Sequence, residues 1–484
     1  MMNVSTVTTR LPISLTLIAS AAIASSPAFA QQRTASTPVT PITPLTLVEA
    51  WAKAEARSDL LVVSSARKDH ARGTALEAGS SRKPRLAAFS AYDRTLRSEF
   101  EGIMGFAPDS TAPDAESAEI PFGSAHAYRA GLTASYTVFS GGRALAQSRA
   151  AAAGRRAAEL GHTTTRAQVR LDVTEAYYDA MLADRLHTIA QWSLQQADST
   201  HRHLALLASA GRSPEFDVVR AKAARERQVP VVIQRRAERD IALLRLRQLV
   251  HMPSDELTLP DDILQALPDA SGLDLDADAR QWATRRSAVR EAAEAVAQSE
   301  QMVHASEAGR LPAVTLTSTY ERVAYPLGGT PSWRSSRANW TLGARIDFDV
   351  ITGGRQQGAD AQARADLDAA HARLRLTQQI AELDTHSSVA RLAAAEAAFA
   401  ASRVSVDEAE RAYAIATLRY KEGVSIQLEL ADARLLLEQA RADQARAARD
   451  VSVERVRATL LSDLPLSSVA SATPHSTTTL PPAR

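Results

Sequence analysis

Hydrophobic and polar positions along this 484-residue chain follow two periods, and each period occurs twice in the same order. Between 340 and 350, Trp340, Leu342, Ala344, Ile346, Phe348 and Val350 alternate with Thr341, Gly343, Arg345, Asp347 and Asp349. A period of two with one apolar and one polar face predicts a β-strand. Leu132, Ala134, Tyr136 and Val138 alternate with Thr133, Ser135 and Thr137, and Val314, Leu316 and Tyr320 with Thr315, Thr317 and Thr319. Elsewhere the spacing is three and four. Val406, Ala409, Tyr413, Ala416, Tyr420 and Gly423 form a helical seam, whose counterparts in the first half are Leu194, Ala197, His201, Leu204, Ala208 and Gly211. Small residues at such a seam let helices approach closely, as in a coiled coil. The following segment answers with Leu430, Ala433, Leu437, Ala440, Ala447 and Val451.

Punctuation between the patterns is duplicated. Phe139-Ser140-Gly141-Gly142-Arg143 and Ile351-Thr352-Gly353-Gly354-Arg355 lie 212 residues apart, and so do Gly211-Arg212-Ser213 and Gly423-Val424-Ser425. Two landmarks repeated without net insertion mean that the length between them is under structural constraint. At about 1.5 Å per residue, a helix spanning them is roughly 100 Å long. The first strands align at another offset, Pro84 with Pro312 and Tyr92 with Tyr320, which is 228 residues. The difference, 228 less 212, puts 16 additional residues in the loop between the first two strands. Loops tolerate such differences.

The expected plan is a first repeat over 45–252, a connector over 253–272 and a second repeat over 273–461. The first contains a helix to about 81, strands 84–94 and 131–139, a long helix 143–210 and a return helix 214–252. The second contains a helix to 308, strands 312–322 and 340–350, a long helix 354–422 and a return helix 425–461. In each half the two moderate helices together roughly match the long one, so stacked end to end they would stand beside it at equal height.

Residues 1–30 read as a secretory signal, with an apolar run from Leu11 to Ala24 and a small-x-small site at Ala28-Phe29-Ala30. An uncleaved anchor is the rival reading, but the run is short and ends in Ser25-Ser26-Pro27. A Thr/Pro linker over 31–44 follows, and a Ser/Thr/Pro-rich tail over 467–484 is expected to be disordered. No other apolar run reaches the ~20 residues of a membrane helix. If the chain crosses a bilayer, it does so as strands. Segments of about ten alternating residues suit a transmembrane barrel wall, and they also suit a half-buried soluble sheet. Four strands cannot close a barrel, so a barrel would need strands from several subunits.

A net charge of +1 disfavours nucleic acid as a partner, and the absence of cysteine removes disulfides and thiolate metal sites. Aromatic residues make up 5% of the chain and alanine fills the helical stretches, which suits close-packed long helices better than one large core. No phosphate-binding loop, nucleophile elbow or His-Glu-x-x-His motif occurs, which argues against an enzyme, and no cofactor is expected. His201 and His203, two apart on a helix, face different ways.

The opening Leu45-Thr46-Leu47-x-Glu49-Ala50, the Phe-Ser-Gly-Gly-Arg corner and Arg419-Tyr420-x-x-Gly423-x-Ser425-x-x-x-Glu429-x-x-Asp432-Ala433 together resemble the TolC family of outer-membrane efflux proteins. The resemblance covers nearly all of the chain after the signal. It implies a mainly α protein with a transmembrane β-barrel, a homotrimer whose subunits each give four strands to a twelve-stranded barrel, continued by a periplasmic α-helical barrel. It further implies residence in outer-membrane lipid, a periplasmic adaptor (membrane fusion) protein and an inner-membrane transporter as partners, and passage of efflux or type I secretion substrates. A non-transporting trimeric coiled-coil surface protein or adhesin is the alternative, although it would need neither the alternating strands nor the duplicated corners.

Carried over residue by residue, the resemblance puts Glu429 and Asp432 in an acidic ring at the periplasmic entrance. Three residues apart, they share a helix face, and a pair of solvated surface carboxylates is the plainer reading. Tyr420 and Asp217 match the family's closing link, but Ser425 stands where the family has arginine, leaving Arg212 or Arg419 as substitutes. Tyr420 also lies on the seam, where packing is its alternative role. Gly211, Arg212, Gly423 and Val424 fall at the helix turns that would meet the adaptor, and Gly141, Gly142, Gly353 and Gly354 at the strand-to-helix corners.

Overall fold

The computed structural model describes residues 45–97, 126–252, 259, 262–268, 279–326 and 336–466, all within one compact unit, Pro44–Arg484. The signal, the linker, most of the connector, the tail and most of the first inter-strand loop, with its additional residues, lie outside the described residues.

Each half places two helices before its first strand. Helix α1 (Leu47–Arg57) opens on a capping box, in which the Glu49 amide donates to Thr46 Oγ1 and the Thr46 amide to Glu49 Oε2. The single helix expected over 45–81 is broken at Ser58, whose extended backbone (ψ 119°) ends α1 before α2 (Asp59–Ser80) begins. In the second half, α5 (Ala279–Arg285) and α6 (Ser287–Glu307) are divided at Arg286. There the extended backbone (ψ 132°) turns a fully buried guanidinium toward Asp384 Oδ2 at 2.9 Å and the Leu464 carbonyl at 3.3 Å. A 3-10 turn, Ala308–Arg310, closes α6.

Strands β1 (Arg85–Arg94), β2 (His126–Phe139), β3 (Ala313–Ala324) and β4 (Arg337–Asp347) form one antiparallel sheet in that order. Strand β2 starts five residues earlier than expected from alternation, and β4 occupies 337–347 rather than 340–350. Register follows the duplication. Arg85 pairs with Ser135, and moving these by 228 and 212 gives Ala313 and Asp347, which also pair. Among the described residues, both outer strands, β1 and β4, have one ladder of backbone groups without a partner strand.

From the sheet run two helices of 67 residues, α3 (Arg143–Ser209) and α7 (Arg355–Lys421), each about 100 Å long. Their return helices are α4 (Glu215–Val250) and α8 (Gln427–Leu460); Pro230 sits inside α4 without ending it. Helix α3 is the spine, packing against α1, α2, α4, α6 and α8, whereas α7 packs mainly on α5, α6 and α8. The largest core lies midway along α3, where Val169, Val173, Tyr177, Tyr178 and Met181 meet Leu45, Ala50, Leu246, Ile263 and Leu464. Both buried tyrosines satisfy their hydroxyls on carbonyls, Tyr177 on Leu45 and Tyr178 on Ala266, each at 2.9 Å. Among the described residues no helix is long and apolar enough to cross a membrane.

Candidate functional site

The sheet has one mainly apolar face, interrupted by Ser90, Ser318 and Arg322 and ending in Arg94 and His126. Paired residues in antiparallel strands share a side, so the register joins Leu86, Ala88 and Tyr92 to Tyr128, Leu132, Ala134 and Tyr136, then to Leu316 and Tyr320, then to Trp340, Leu342, Ala344 and Ile346. Trp340 and Leu342 are 77% and 80% exposed on it. Toward one end of this face stand Tyr92, Tyr128, Tyr320 and Trp340; the Tyr92 and Tyr128 rings lie 4.7 Å apart, and Trp340 Nε1 donates to Ser318 Oγ. The opposite face carries Asp93, Arg129, Thr133, Thr319, Glu321, Arg345 and Asp347.

At the other end the strands turn into the long helices through Gly141-Gly142 and Gly353-Gly354. All four glycines have positive φ, 63° and 89° in the first corner and 58° and 89° in the second. Positive φ is costly for residues with a Cβ. The corners are alike in backbone and unlike in surroundings. A Cβ on Gly141 would lie 2.7 Å from the Ala308 carbonyl oxygen and 2.8 Å from Leu311 Cβ, whereas one on Gly353 would meet nothing within 4 Å.

Beside the second corner, Asp360 is buried and fully engaged. It accepts from Ser306 Oγ at 2.6 Å, Gln356 Nε2 at 2.9 Å and both Nε and Nη2 of Arg310. The Ser306 hydroxyl, then the Arg310 and Gln356 donors, hold its carboxyl below the usual aspartate range against the opposing effect of desolvation. The turn between α6 and β3 is thereby tied to the start of α7. Position 148, the counterpart of Asp360 in the first repeat, is serine, so the repeat pattern gave no signal for this cluster.

At the far end, Gly211 (φ 70°) and Gly423 (φ 73°) end the long helices in the same way. Arg212 N donates to the Leu207 carbonyl and Gly211 N to Ala208; Val424 N donates to Arg419 and Gly423 N to Tyr420. These are Schellman motifs, in which glycine takes the left-handed position. A Cβ on either glycine would meet nothing within 4 Å, and Val424 is exposed.

Tyr420, near the end of α7, and Asp217, in the first turn of α4, are brought close. Burial first, and then the Asp217 charge, push the tyrosine pKa up. No hydrogen bond joins the two among the described residues. Neither arginine considered for the missing family position reaches Asp217. Arg212 is exposed and makes no ion pair among the described residues, while Arg419 Nη1 lies 3.4 Å from Glu429 Oε1. Ser425 Oγ donates to the other Glu429 oxygen at 2.7 Å. Glu429 is therefore held within its own helix turn, and the exposed Asp432 is engaged by no side chain among the described residues. Sequence reading missed this triad because Arg419 and Glu429 lie on two helices and Ser425 in the turn between them, and the three meet only once that turn is folded. Among the described residues no group of three or more histidines and carboxylates could hold a metal ion.

Residues 279–460 match the family model for outer membrane efflux proteins. Nodulation protein T of Rhizobium leguminosarum bv. viciae is 20% identical over 292 residues, a match that spans 59% of each protein. Among solved structures, the outer membrane protein VceC from Vibrio cholerae aligns with a TM-score of 0.70 and 21% identity over 86% of this chain and 96% of its own. The open state of the Neisseria gonorrhoeae MtrE outer membrane channel aligns at 0.68 and 21% over 86% and 89%. Most of the second repeat therefore matches the outer membrane efflux protein family, and the described fold is the one these outer-membrane proteins share.

Proposed function

We propose that this protein is an exit duct of the outer membrane, three copies of which close a twelve-stranded barrel and continue it as a helical tunnel through the periplasm. The observation that carries this reading is the sheet, which has a broad, exposed, mainly apolar face and, among the described residues, two edges without a partner strand. A lone four-stranded sheet would leave both edges open to aggregation, and barrels need about eight strands or more, so joining β4 of one copy to β1 of the next removes the edges and turns the apolar face to lipid. Tyr92, Tyr128, Tyr320 and Trp340 would then form the aromatic girdle at one interface. Protein solubilised in detergent should have a protein mass of three subunits once bound detergent is subtracted. A stable folded monomer sinks the proposal.

Long helices with tight glycine turns at their ends reach away from the sheet, and they support contact with a periplasmic adaptor and, through it, an inner-membrane transporter that supplies the energy. Glu429 and Asp432 are the proposed entrance acids, Tyr420 and Asp217 the proposed closing pair, and Gly211, Arg212, Gly423 and Val424 the proposed adaptor contacts. Since the space around Gly423 is open, Gly423→Trp carries only the backbone cost of its positive φ, about 1–2 kcal/mol, and should leave the trimer intact and abolish transport in cells by obstructing that contact. Unchanged export with this substitution places the docking surface elsewhere.

A further inference from the structure

Charge is divided between the two faces of the sheet. The strand acids Asp93, Glu321 and Asp347 all lie on the polar face, accompanied there by Arg85, Arg129, Arg337 and Arg345. The mainly apolar face carries Arg94 and Arg322 and, among the described strand residues, no aspartate or glutamate. Both arginines stand at the end away from the long helices, each two residues past a tyrosine of the aromatic row, Tyr92 and Tyr320. They are counterparts in the two repeats, since 94 and 322 differ by 228. Their neighbours are unlike: Arg94 pairs with His126, and Arg322 with Ala130 and Ala338. Packing within the sheet therefore does not account for the shared side chain. Arg94 is exposed and makes no ion pair among the described residues, because Asp93 turns to the other face, 3.9 Å from Arg129. Arg322 Nη2 donates to the Ser336 carbonyl at 3.1 Å, a contact that holds the guanidinium at the strand end.

We infer that Arg94 and Arg322 hold phosphate groups of the lipid leaflet facing the cell exterior, and that this lipid is a glycolipid with phosphomonoesters on its sugars, as in lipid A. The inference rests on the exit-duct reading, which turns the apolar face to lipid and the end away from the helices outward. Two residues along a strand cover about 7 Å. The headgroup layer beyond the hydrocarbon is about 5–7 Å deep on each side, so an arginine that far past the aromatic row reaches the phosphates. Guanidinium matches phosphate through two parallel hydrogen bonds, and a phosphomonoester offers the larger charge and three acceptor oxygens. A zwitterionic headgroup brings its own cation and gains less. With two per chain, three copies set six arginines around the outer margin of the apolar band.

Native mass spectrometry of the full-length trimer in detergent, titrated with bisphosphorylated lipid A or with phosphatidylglycerol, tests this. Lipid A should bind about fivefold more tightly than phosphatidylglycerol. Arg94→Gln with Arg322→Gln should weaken lipid A binding about tenfold through lost charge-assisted hydrogen bonds. Arg94→Lys with Arg322→Lys should weaken it only about threefold, because the charge stays and the paired geometry is lost. Arg129→Gln with Arg345→Gln removes the same charge from the polar face and should leave binding unchanged. Equal binding by the parent and the Arg94/Arg322 glutamine variant, an equal loss in the polar-face variant, or equal affinity for phosphatidylglycerol overturns the inference. Planar-bilayer conductance separates the two levels. A conducting trimer without preference for lipid A loses the lipid contact and keeps the exit duct, whereas a folded monomer without conductance removes both.

Discussion

The double variant Ala91→Cys with Arg345→Cys should run as a covalent trimer on a non-reducing gel, while each single variant runs as a monomer. The pair follows from the duplicated register. Thr133 of β2 pairs with Thr319 of β3. Moving Thr133 forward by 212 and Thr319 back by 228 gives Arg345 and Ala91, one on each open edge of the sheet. The offsets already turn the β1 to β2 register into that of β3 to β4, so the same rule applied to β2 and β3 predicts how β4 of one copy meets β1 of the next. Directly opposed residues have Cα atoms about 4.5–5.5 Å apart, which a disulfide can bridge. Within one chain the two positions lie on opposite edges, three strand spacings or roughly 14 Å apart across the sheet and eight residues or about 26 Å apart along it, too far for an internal bond. The chain has no other cysteine to confuse the result. Folded trimers of the double variant that stay uncrosslinked under oxidation mean that the register between copies is different.

Gly141→Ala should be far more damaging than Gly353→Ala, although the two glycines occupy the same place in the same motif. Both have positive φ, so each substitution carries a backbone cost of about 1–2 kcal/mol. Only at Gly141 does the new methyl group meet fixed structure, the Ala308 carbonyl and Leu311. Relieving contacts of that kind costs roughly 1–3 kcal/mol more, because the turn between α6 and β3 must move as a unit. The difference should appear as a lower thermal midpoint for Gly141→Ala and as less folded protein recovered from outer membranes. Equal losses for the two variants would mean that backbone conformation alone sets the requirement and that the packing of the 308–311 turn is immaterial.

What the sequence by itself determines here is local and periodic. Alternation assigns each strand residue to a face without reference to its partners, because the side-chain period of a strand is two. Gly-Gly at 141–142 and 353–354, and glycine at 211 and 423, mark the ends of α3 and α7 because positive φ is a property of single residues. Thr46 and Glu49 announce α1 in the same way, through a cap that closes within four residues.

Tertiary structure alone decided what depends on residues distant in the chain. The breaks at Ser58 and Arg286 were not legible, since helix-compatible neighbours surround both, and at Arg286 the backbone bends where a buried guanidinium reaches Asp384 and Leu464. Asp360 reads in sequence as one of many helix-surface acids, and only the approach of α6 and its closing turn to α7 adds Ser306 and Arg310 to Gln356 of its own helix. The two corners differ because the 308–311 turn packs on Gly141, whereas no described residue comes within 4 Å of where a Cβ on Gly353 would lie. At the helical tip, acids and arginines are plentiful in the sequence, so each has several possible partners. The pairing of Arg419 with Glu429, in place of Asp217, is set by the path of the turn between α7 and α8. Dihedral preference and side-chain period act over a few residues and can be read directly, whereas ion pairs and close contacts depend on which surfaces the folded chain brings together.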